Sequence, residues 1–332
     1  MPTPFRVVVT DFLDETEVEA PILGDIATLE CLGGWSESDL AGRIEDASIL
    51  LVYHDIPRIG DATFRRLDRC VGVIRAGVGY NNLDVDAASA RGIVVCNVPD
   101  YGTEDVADHA LMMLLAVARK LVPCHSAICG GDWHYRTILG APRMRGKTLG
   151  IVGIGRIGSA MALRAKALGL DVAYYDPHAR PGMDKALGIR EVRDLREFMA
   201  QCDFVSLHCD LNPTSYHLIN RESLAAAKPG LILVNTARGP VVDQEALLEA
   251  LNTGHVAAAG LDVVEREPLD DDRLRHHPRI LFTPHAAFYT VEGFIEMRRK
   301  AAEEARRLLL GQSPRCPVNL AQIPTGARRV NA

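Results

Sequence analysis

The run Thr148-Leu149-Gly150-Ile151-Val152-Gly153-Ile154-Gly155-Arg156-Ile157-Gly158 constrains this chain more than any other stretch, because it reads as a buried strand turning through three glycines into a helix. Gly153 permits the tight bend, Gly155 lets the backbone come close to a ligand, and Gly158 lets the helix pack against the sheet. The unpaired N–H groups at the start of the helix then face an anion, which suits the pyrophosphate of a dinucleotide. A bare GxGxxG is weak evidence, since other α/β units also carry Gly-rich turns. Here β-type residues precede the glycines, a helical run Ser159–Leu168 follows and stops at Gly169, and a second strand, Asp171–Tyr175, ends in Asp176. A carboxylate at that distance accepts the adenosine ribose hydroxyls and repels a 2′-phosphate, so the pattern predicts NAD rather than NADP. His178 and Arg180, just beyond, could soften that discrimination.

A chain of 332 residues exceeds the size at which one core usually keeps growing, so two domains are predicted. Hydrophobic content of 48% and charged content of 24% are ordinary for a globular protein. The net charge of −6 is spread without blocks, which argues against nucleic acid or an anionic membrane as partner. The longest uncharged apolar run, Ala110–Ala118, is about half of what a membrane span requires. Met1–Arg6 leads directly into a strand without the apolar segment of a signal peptide, and the expectation is a cytoplasmic protein. Eight cysteines lie scattered without a CxxC pair and read as small buried thiols of a reducing compartment. The adjacent His276 and His277 also lack ligand spacing, so no metal site is predicted.

Apolar strands alternate with helical stretches throughout, the pattern of parallel sheets covered by helices on both faces. Strand-like runs occur at Phe5–Val9, Ile49–Val52, Gly72–Ile74 and Ile93–Cys96, and Ser36-Glu37-Ser38-Asp39 resembles a capping box opening one of the intervening helices. A helix-patterned segment spans Thr103–Leu121, ended by Pro123, and an irregular stretch Cys124–Arg145 follows. From Gly146 the predicted strands are Leu149–Val152, Val172–Tyr175, Phe204–His208, Leu231–Asn235, Ala258–Asp262 and Ile280–Phe282, enough for a complete doubly wound sheet. The charged helix Val291–Leu310 is expected to return to the first block, making that domain discontinuous. The expected fold is α/β with two doubly wound parallel-sheet domains, 1–101 with 292–332 and 102–291. The polar, Pro-rich tail Pro314–Ala332 reads as surface.

A nucleotide fold fixes the cofactor and leaves the reaction open, so the chemistry must come from side chains at the carboxyl ends of the strands. Arg238 follows one strand in Asn235-Thr236-Ala237-Arg238-Gly239, Glu267 follows the next in Glu265-Arg266-Glu267-Pro268, and His285 follows the last in Thr283-Pro284-His285-Ala286-Ala287. A guanidinium holds a carboxylate and polarises a ketone through parallel hydrogen bonds. An imidazolium protonates the carbonyl oxygen as hydride arrives, and a carboxylate beside it stabilises its charged form. Singly, each residue has a bland alternative as a surface or core group. Together they match hydride transfer to a 2-oxo acid.

These residues carry a resemblance to the D-2-hydroxyacid dehydrogenases. Its motifs are Arg75-Ala76-Gly77-Val78-Gly79-Tyr80-Asn81-Asn82-Leu83-Asp84, the GIGRIG turn, the three segments above and Gly260-Leu261-Asp262-Val263. Within that family the chain resembles most the C-terminal-binding protein corepressors, at Tyr53-His54, Ala162–Ala167, Tyr175-Asp176-Pro177 and His285-Ala286-Ala287-Phe288-Tyr289. The resemblance implies a flavodoxin-like substrate domain and a Rossmann NAD-binding domain, with Arg238, Glu267 and His285 as catalytic set. It implies substrate contacts from Tyr53, His54, Arg75 and Ala76 to Gly79. On the cofactor side it implies Arg156 and Ile157 at the pyrophosphate, Asp176 and the pair His208-Cys209 at the adenosine ribose, Thr236 to Arg238 along the nicotinamide, and Asp262 near its carboxamide, with His285 adjoining. Phe288 departs from the corepressors, which have a tryptophan there.

Two functions fit: an NAD-dependent D-2-hydroxyacid dehydrogenase, or a corepressor-like protein that senses NAD(H) and turns substrate over incidentally. The family likeness also implies a homodimer through Thr103–Leu121 and Cys124–Arg145, with Trp133 and Tyr135 at the interface or near the pocket. It further implies closure of a cleft about hinges near Pro99–Thr103 and Ala287–Gly293.

Overall fold

Valine and isoleucine runs that are buried on both faces form the centre of each of two parallel sheets. The computed structural model describes residues 5–323. The chain divides into two units, one holding the residues up to Gly102 together with those from Thr290 onward, the other Thr103–Tyr289.

In the first unit, among the described residues, β1 (Phe5–Val9), β2 (Ala27–Cys31), β3 (Ile49–Val52), β4 (Gly72–Arg75) and β5 (Val94–Asn97) form a sheet in the order β2-β1-β3-β4-β5. Every residue of β3 is buried. The edge strand β2 escaped the sequence reading because Thr28 and Glu30 face solvent and break its apolar run. The capping box at Ser36 is present and opens a 3-10 turn, Glu37–Leu40, rather than a longer helix. The helix Val291–Leu309 belongs to this unit, and Leu308 fills the space that a side chain at Gly72 would need.

That helix carries Arg298, buried to 5% exposure, whose Nε and Nη2 each donate to Glu19 at 2.8 Å. Glu19 is itself fully buried and accepts from the Tyr53 hydroxyl at 3.4 Å. The expectation of a surface tail needs correction. Asn319, 1% exposed, accepts from Val95 N at 2.8 Å and donates to Ile93 O at 3.0 Å, so the segment around it docks along β5. The remainder of the tail, 324–332, lies outside the described residues.

The second unit holds a seven-stranded parallel sheet: β6 (Thr148–Val152), β7 (Asp171–Tyr175), β8 (Arg190–Glu191), β9 (Phe204–Leu207), β10 (Leu231–Asn235), β11 (Val256–Leu261) and β12 (Ile280–Phe282), in the order β12-β11-β10-β9-β6-β7-β8. The seventh strand, β8, has two residues and no apolar run to announce it. The long helix ends at Ala118, earlier than expected. Lys120 then takes a left-handed φ of 52°, and a second helix, Leu121–Cys129, leaves at 59°. Pro123 sits in the first turn of that second helix, where no N–H is required of it, so it starts structure instead of ending it. A 3-10 turn at Tyr135–Ile138 follows, and the stretch is less irregular than its sequence implied. No single helix among the described residues is long and apolar enough to cross a membrane, although this bent pair is so by length and composition. Its first member is largely core, with Ala107, Ala110, Met113 and Leu114 all fully buried.

Register now matters for chemistry. Val152 pairs with Tyr175 and Leu207, and Asn235 pairs with Leu207 and Leu261, which in turn pairs with Phe282. The residues immediately after these ends, Gly153, Asp176, His208, Thr236, Asp262 and Thr283, therefore form one row along the carboxyl edge.

Glu19→Ala should leave the buried Arg298 with the longer 3.7 Å contact to the exposed Glu15 in place of its paired hydrogen bonds, a loss of about 3–5 kcal/mol. Thermal unfolding should show a clearly lowered midpoint, and an unchanged midpoint would mean that Arg298 had found water.

Candidate active site

The glycine turn has the geometry its sequence requires. Gly153 stands at φ 87°, and a Cβ there would meet Cys209 N at 2.6 Å and the His208 carbonyl carbon at 2.8 Å. A side chain at Gly158 would strike the Gly153 carbonyl oxygen, whereas the space around Gly155 is open. Gly155 is the N-cap of the helix Arg156–Ala167 and no side chain caps that end. Asp176 accepts from Ile154 N at 2.9 Å and from His178 N at 2.8 Å, which fixes its carboxylate against the turn.

Farther along the row, burial pushes His208 down to about 4, so its ring is neutral at physiological pH. Its Nε2 faces Ser206 Oγ at 2.8 Å while Nδ1 is buried without a partner. Thr236 Oγ1 is likewise buried and unpartnered, and burial pushes the Cys209 thiol up to about 12. A glycine cradle, an uncapped helix start and two orphaned polar atoms on one strand edge fit a dinucleotide. Gly153, Gly155, Arg156, Ile157 and Gly158 would hold its pyrophosphate, and Asp176 its ribose.

The three chemical residues follow three neighbouring strands, β10, β11 and β12. Asn235, 1% exposed, folds back on its own turn: its Oδ1 accepts from Ala237 N at 3.0 Å and its Nδ2 donates to Arg238 O at 3.0 Å. That clamp presents the half-buried Arg238. Gly239 is required next, because a side chain there would collide with the Val264 carbonyl and Glu265 N, in the loop that carries Glu267. The same loop is tied from outside by a hydrogen bond between His217 Nε2 and the Glu265 carboxylate.

Glu267 Oε2 lies 2.7 Å from His285 Nδ1, and Glu267 Oε1 accepts from Val264 N at 3.3 Å. Burial pushes the Glu267 carboxyl up, but the His285 hydrogen bond, the His285 and Arg238 charges and the Val264 N–H outweigh it, and the group titrates below its ordinary value. His285 sits at a left-handed φ of 52°. Asp262 holds it there: its carboxylate accepts from Thr283 Oγ1 at 2.5 Å, Ala286 N at 2.9 Å and Ala287 N at 3.0 Å, and its carbonyl accepts from His285 N at 2.8 Å.

Two expected ligand contacts are placed differently. The Asp262 side chain, 1% exposed, is occupied with the loop of His285 instead of projecting outward, because a carboxylate buried at a strand end takes the nearest backbone donors. The Tyr53 ring, 1% exposed, is core, with its hydroxyl on Glu19. His54 beside it stays half-exposed, and Val78 is 37% exposed. Arg75 ends β4 and donates to Ala76 O, and a side chain at Gly77 would strike its guanidinium. Sequence reasoning missed His109, whose Nε2 lies 3.0 Å from Thr283 Oγ1, and Asn235; only the latter had a signal, its place three residues before Arg238.

Residues 111–287 match the family described as D-isomer specific 2-hydroxyacid dehydrogenase, NAD binding domain. A relative from Methanocaldococcus jannaschii named D-3-phosphoglycerate dehydrogenase is 35% identical over 96% of this chain. The chain spans 57–60% of the length of the curated relatives it matches. The TT0316 protein of Thermus thermophilus superposes with a TM-score of 0.85 at 36% identity, covering 95% of this chain and 100% of that one. An NADPH-dependent glyoxylate/hydroxypyruvate reductase of Sinorhizobium meliloti, solved with NADP and malonate, has a TM-score of 0.85 at 29% identity, covering 98% and 99%. These relatives support the family and not the corepressor branch within it.

With the Asp176 carboxylate held against the glycine turn, where it would meet a 2′-phosphate, NADH should bind more tightly than NADPH, by at least about tenfold. Fluorescence titration of both cofactors checks this, and Asp176→Ala should narrow the ratio. Equal affinities in the unaltered protein would mean that His178 or Arg180 overrides the carboxylate.

Proposed function

Because this chain belongs to the D-isomer specific 2-hydroxyacid dehydrogenase family, we propose that it interconverts a 2-oxo acid and a D-2-hydroxy acid, with His285 giving and taking the proton. The observation that supports this most is the 2.7 Å contact of His285 Nδ1 with Glu267, beside Arg238 on adjoining strand ends. NAD(H), when bound, supplies or accepts the hydride at the carbon bearing the oxygen.

The side chains do the rest. Arg238 brings paired donors suited to a carboxylate and a keto oxygen, and its fixed charge polarises the ketone. His285 uses Nδ1 for Glu267, which leaves Nε2 to protonate the ketone oxygen in reduction and to accept the hydroxyl proton in oxidation. Glu267 stays anionic at neutral pH because its carboxyl titrates below the usual range, so it favours the protonated ring. Asp262 contributes by fixing the loop. Arg75 is assigned to the substrate carboxylate, and 3-phosphoglycerate, named in the archaeal relative, is one candidate substrate.

A homodimer is part of the proposal. The bent helix and the stretch after it expose Leu121 (60%), Ile128 (48%), Trp133 (84%) and Tyr135 (71%), a concentration of large apolar groups that a second copy would cover.

His285→Ala should lower turnover by about 10²–10⁴-fold while leaving NADH affinity nearly unchanged. Glu267→Gln should move the alkaline fall-off of ketone reduction to lower pH, since the neutral amide no longer favours the imidazolium. Steady-state rates from pH 5 to 10 read both, and wild-type turnover in His285→Ala would mean that another group carries the proton. Light scattering at micromolar concentration should give a dimer, and Trp133→Glu combined with Leu121→Glu should give a monomer.

A further inference from the structure

Arg238 and Glu267 stand on different loops, and His217, outside both of them, is bonded to each loop. It lies in the stretch between β9 and the helix Arg221–Ala226. Its N–H donates to Pro240 O at 2.8 Å, and two residues on, Ile219 N donates to Val241 O at 3.0 Å while Ile219 O accepts from Asp243 N at 2.8 Å. The stretch therefore runs parallel to the turn that follows Arg238, with Ile219 bridged to Val242. From this backbone the His217 ring reaches the other loop. Its Nε2 donates to the Glu265 carboxylate, and Glu265 stands two residues before Glu267.

The ring is held ready for that bond. His217 has a left-handed φ of 48°, which a residue with a Cβ adopts only where its surroundings impose it. The Tyr216 ring stacks on it with centroids 4.1 Å apart and planes 14° from parallel. Its carbonyl accepts from Asn220 Nδ2 at 3.1 Å, and Asn220 is fixed in turn as the cap of the next helix, taking Glu222 N and Ser223 N on its Oδ1. A half-buried imidazole restrained in this way loses little freedom when it meets Glu265.

The contact matters because of where the Glu267 loop would otherwise be free to move. At Gly239 the Arg238 turn lies against Val264 and Glu265, but backbones in van der Waals contact can slide past one another. A hydrogen bond adds the direction that packing lacks. Arg266 lies 3.7 Å from Asp270 of its own loop with both side chains largely exposed, an ion pair of little hold. Glu267 is itself exposed, and its bond from Val264 N is long at 3.3 Å, whereas its 2.7 Å contact with His285 demands a defined position. The Arg238 charge also acts on Glu267, so the spacing of the two loops bears on both catalytic partners of His285.

Resting on the dehydrogenase reading above, we infer that His217 is a positioning residue for the reaction: through Glu265 it fastens the Glu267 loop to the turn that carries Arg238, and thereby sets the Glu267 carboxylate on His285 Nδ1.

His217→Phe keeps a ring for Tyr216 and removes the donor, while His217→Gln keeps an N–H donor at similar reach. NADH oxidation is followed from pH 5 to 10 with whichever of glyoxylate, pyruvate, 4-methyl-2-oxopentanoate, phenylpyruvate and 3-phosphohydroxypyruvate the unaltered protein reduces fastest. His217→Phe should lower kcat by about tenfold and leave the NADH dissociation constant within about twofold. It should also move the alkaline fall-off to lower pH by about half a unit or more, because a displaced Glu267 no longer favours the imidazolium. His217→Gln should recover kcat to within about threefold and return the fall-off. In a Glu267→Gln background, where there is no carboxylate left to position, His217→Phe should lower kcat by no more than about twofold further. If His217→Phe does not fold, Glu265→Ala removes the acceptor instead and should give the same two changes. A fall-off at unaltered pH, or an undiminished tenfold loss in the Glu267→Gln background, would overturn the inference and leave the dehydrogenase reading standing. No NADH oxidation by the unaltered protein with any of the five acids would overturn that reading and the inference with it.

Discussion

One buried carboxylate, Asp262, determines where His285 can be. Its oxygens take the Thr283 hydroxyl and the N–H groups of Ala286 and Ala287, so the chain leaving β12 has to curl over the end of β11 and His285 is held at its positive φ between those contacts. The same device recurs along both sheets. Asp176 past β7 takes Ile154 N of the glycine turn after β6, and Asp11 past β1 takes the N–H groups of Tyr53 and Asp55 after β3. In each case a carboxylate at one strand end satisfies backbone donors of the loop leaving the neighbouring strand, where the ladder no longer provides partners. Parallel strands collect these loops at a common edge, and the carboxylates turn that edge from a set of independent loops into fixed geometry.

That geometry explains the division of labour among charged groups. Arg238 and His285 remain half-exposed and Glu267 exposed on neighbouring strand ends, while Asp11, Glu19 and Asp262 are buried and engaged by hydrogen bonds. On the proposed reading a group that meets substrate needs a free face, whereas a buried carboxylate that fixes a loop within its own unit needs none. His217 with Glu265, and His109 with Thr283, add side-chain ties to the loops that carry Glu267 and His285.

Much of this was legible in the amino-acid sequence, for identifiable reasons. Strands such as β3 and β10, buried on both faces, announce themselves as unbroken apolar runs, and Gly153 and Gly158 are forced by close contacts that no other residue tolerates. The edge strands β2 and β8 were illegible because an edge needs no apolar run, and Pro123 was misread because the same residue ends one helix or begins another depending on a single backbone torsion at Lys120. Residue types alone located Arg238, Glu267 and His285 on successive strand ends. They could not say that the Tyr53 ring and the Asp262 carboxylate would turn inward, since that depends on which backbone donors or buried partners lie within reach once the turns are made. His109 lies far from Thr283 in sequence and carried no local pattern.

The central claim is that this strand edge delivers a proton and a hydride to the two ends of one carbonyl. It is tested most directly with NADH deuterated at both C4 positions and a 2-oxo acid, followed by chiral separation and mass analysis of the product. The account predicts the D-2-hydroxy acid with a single deuterium at C2. An L product, or an unlabelled one, would contradict it.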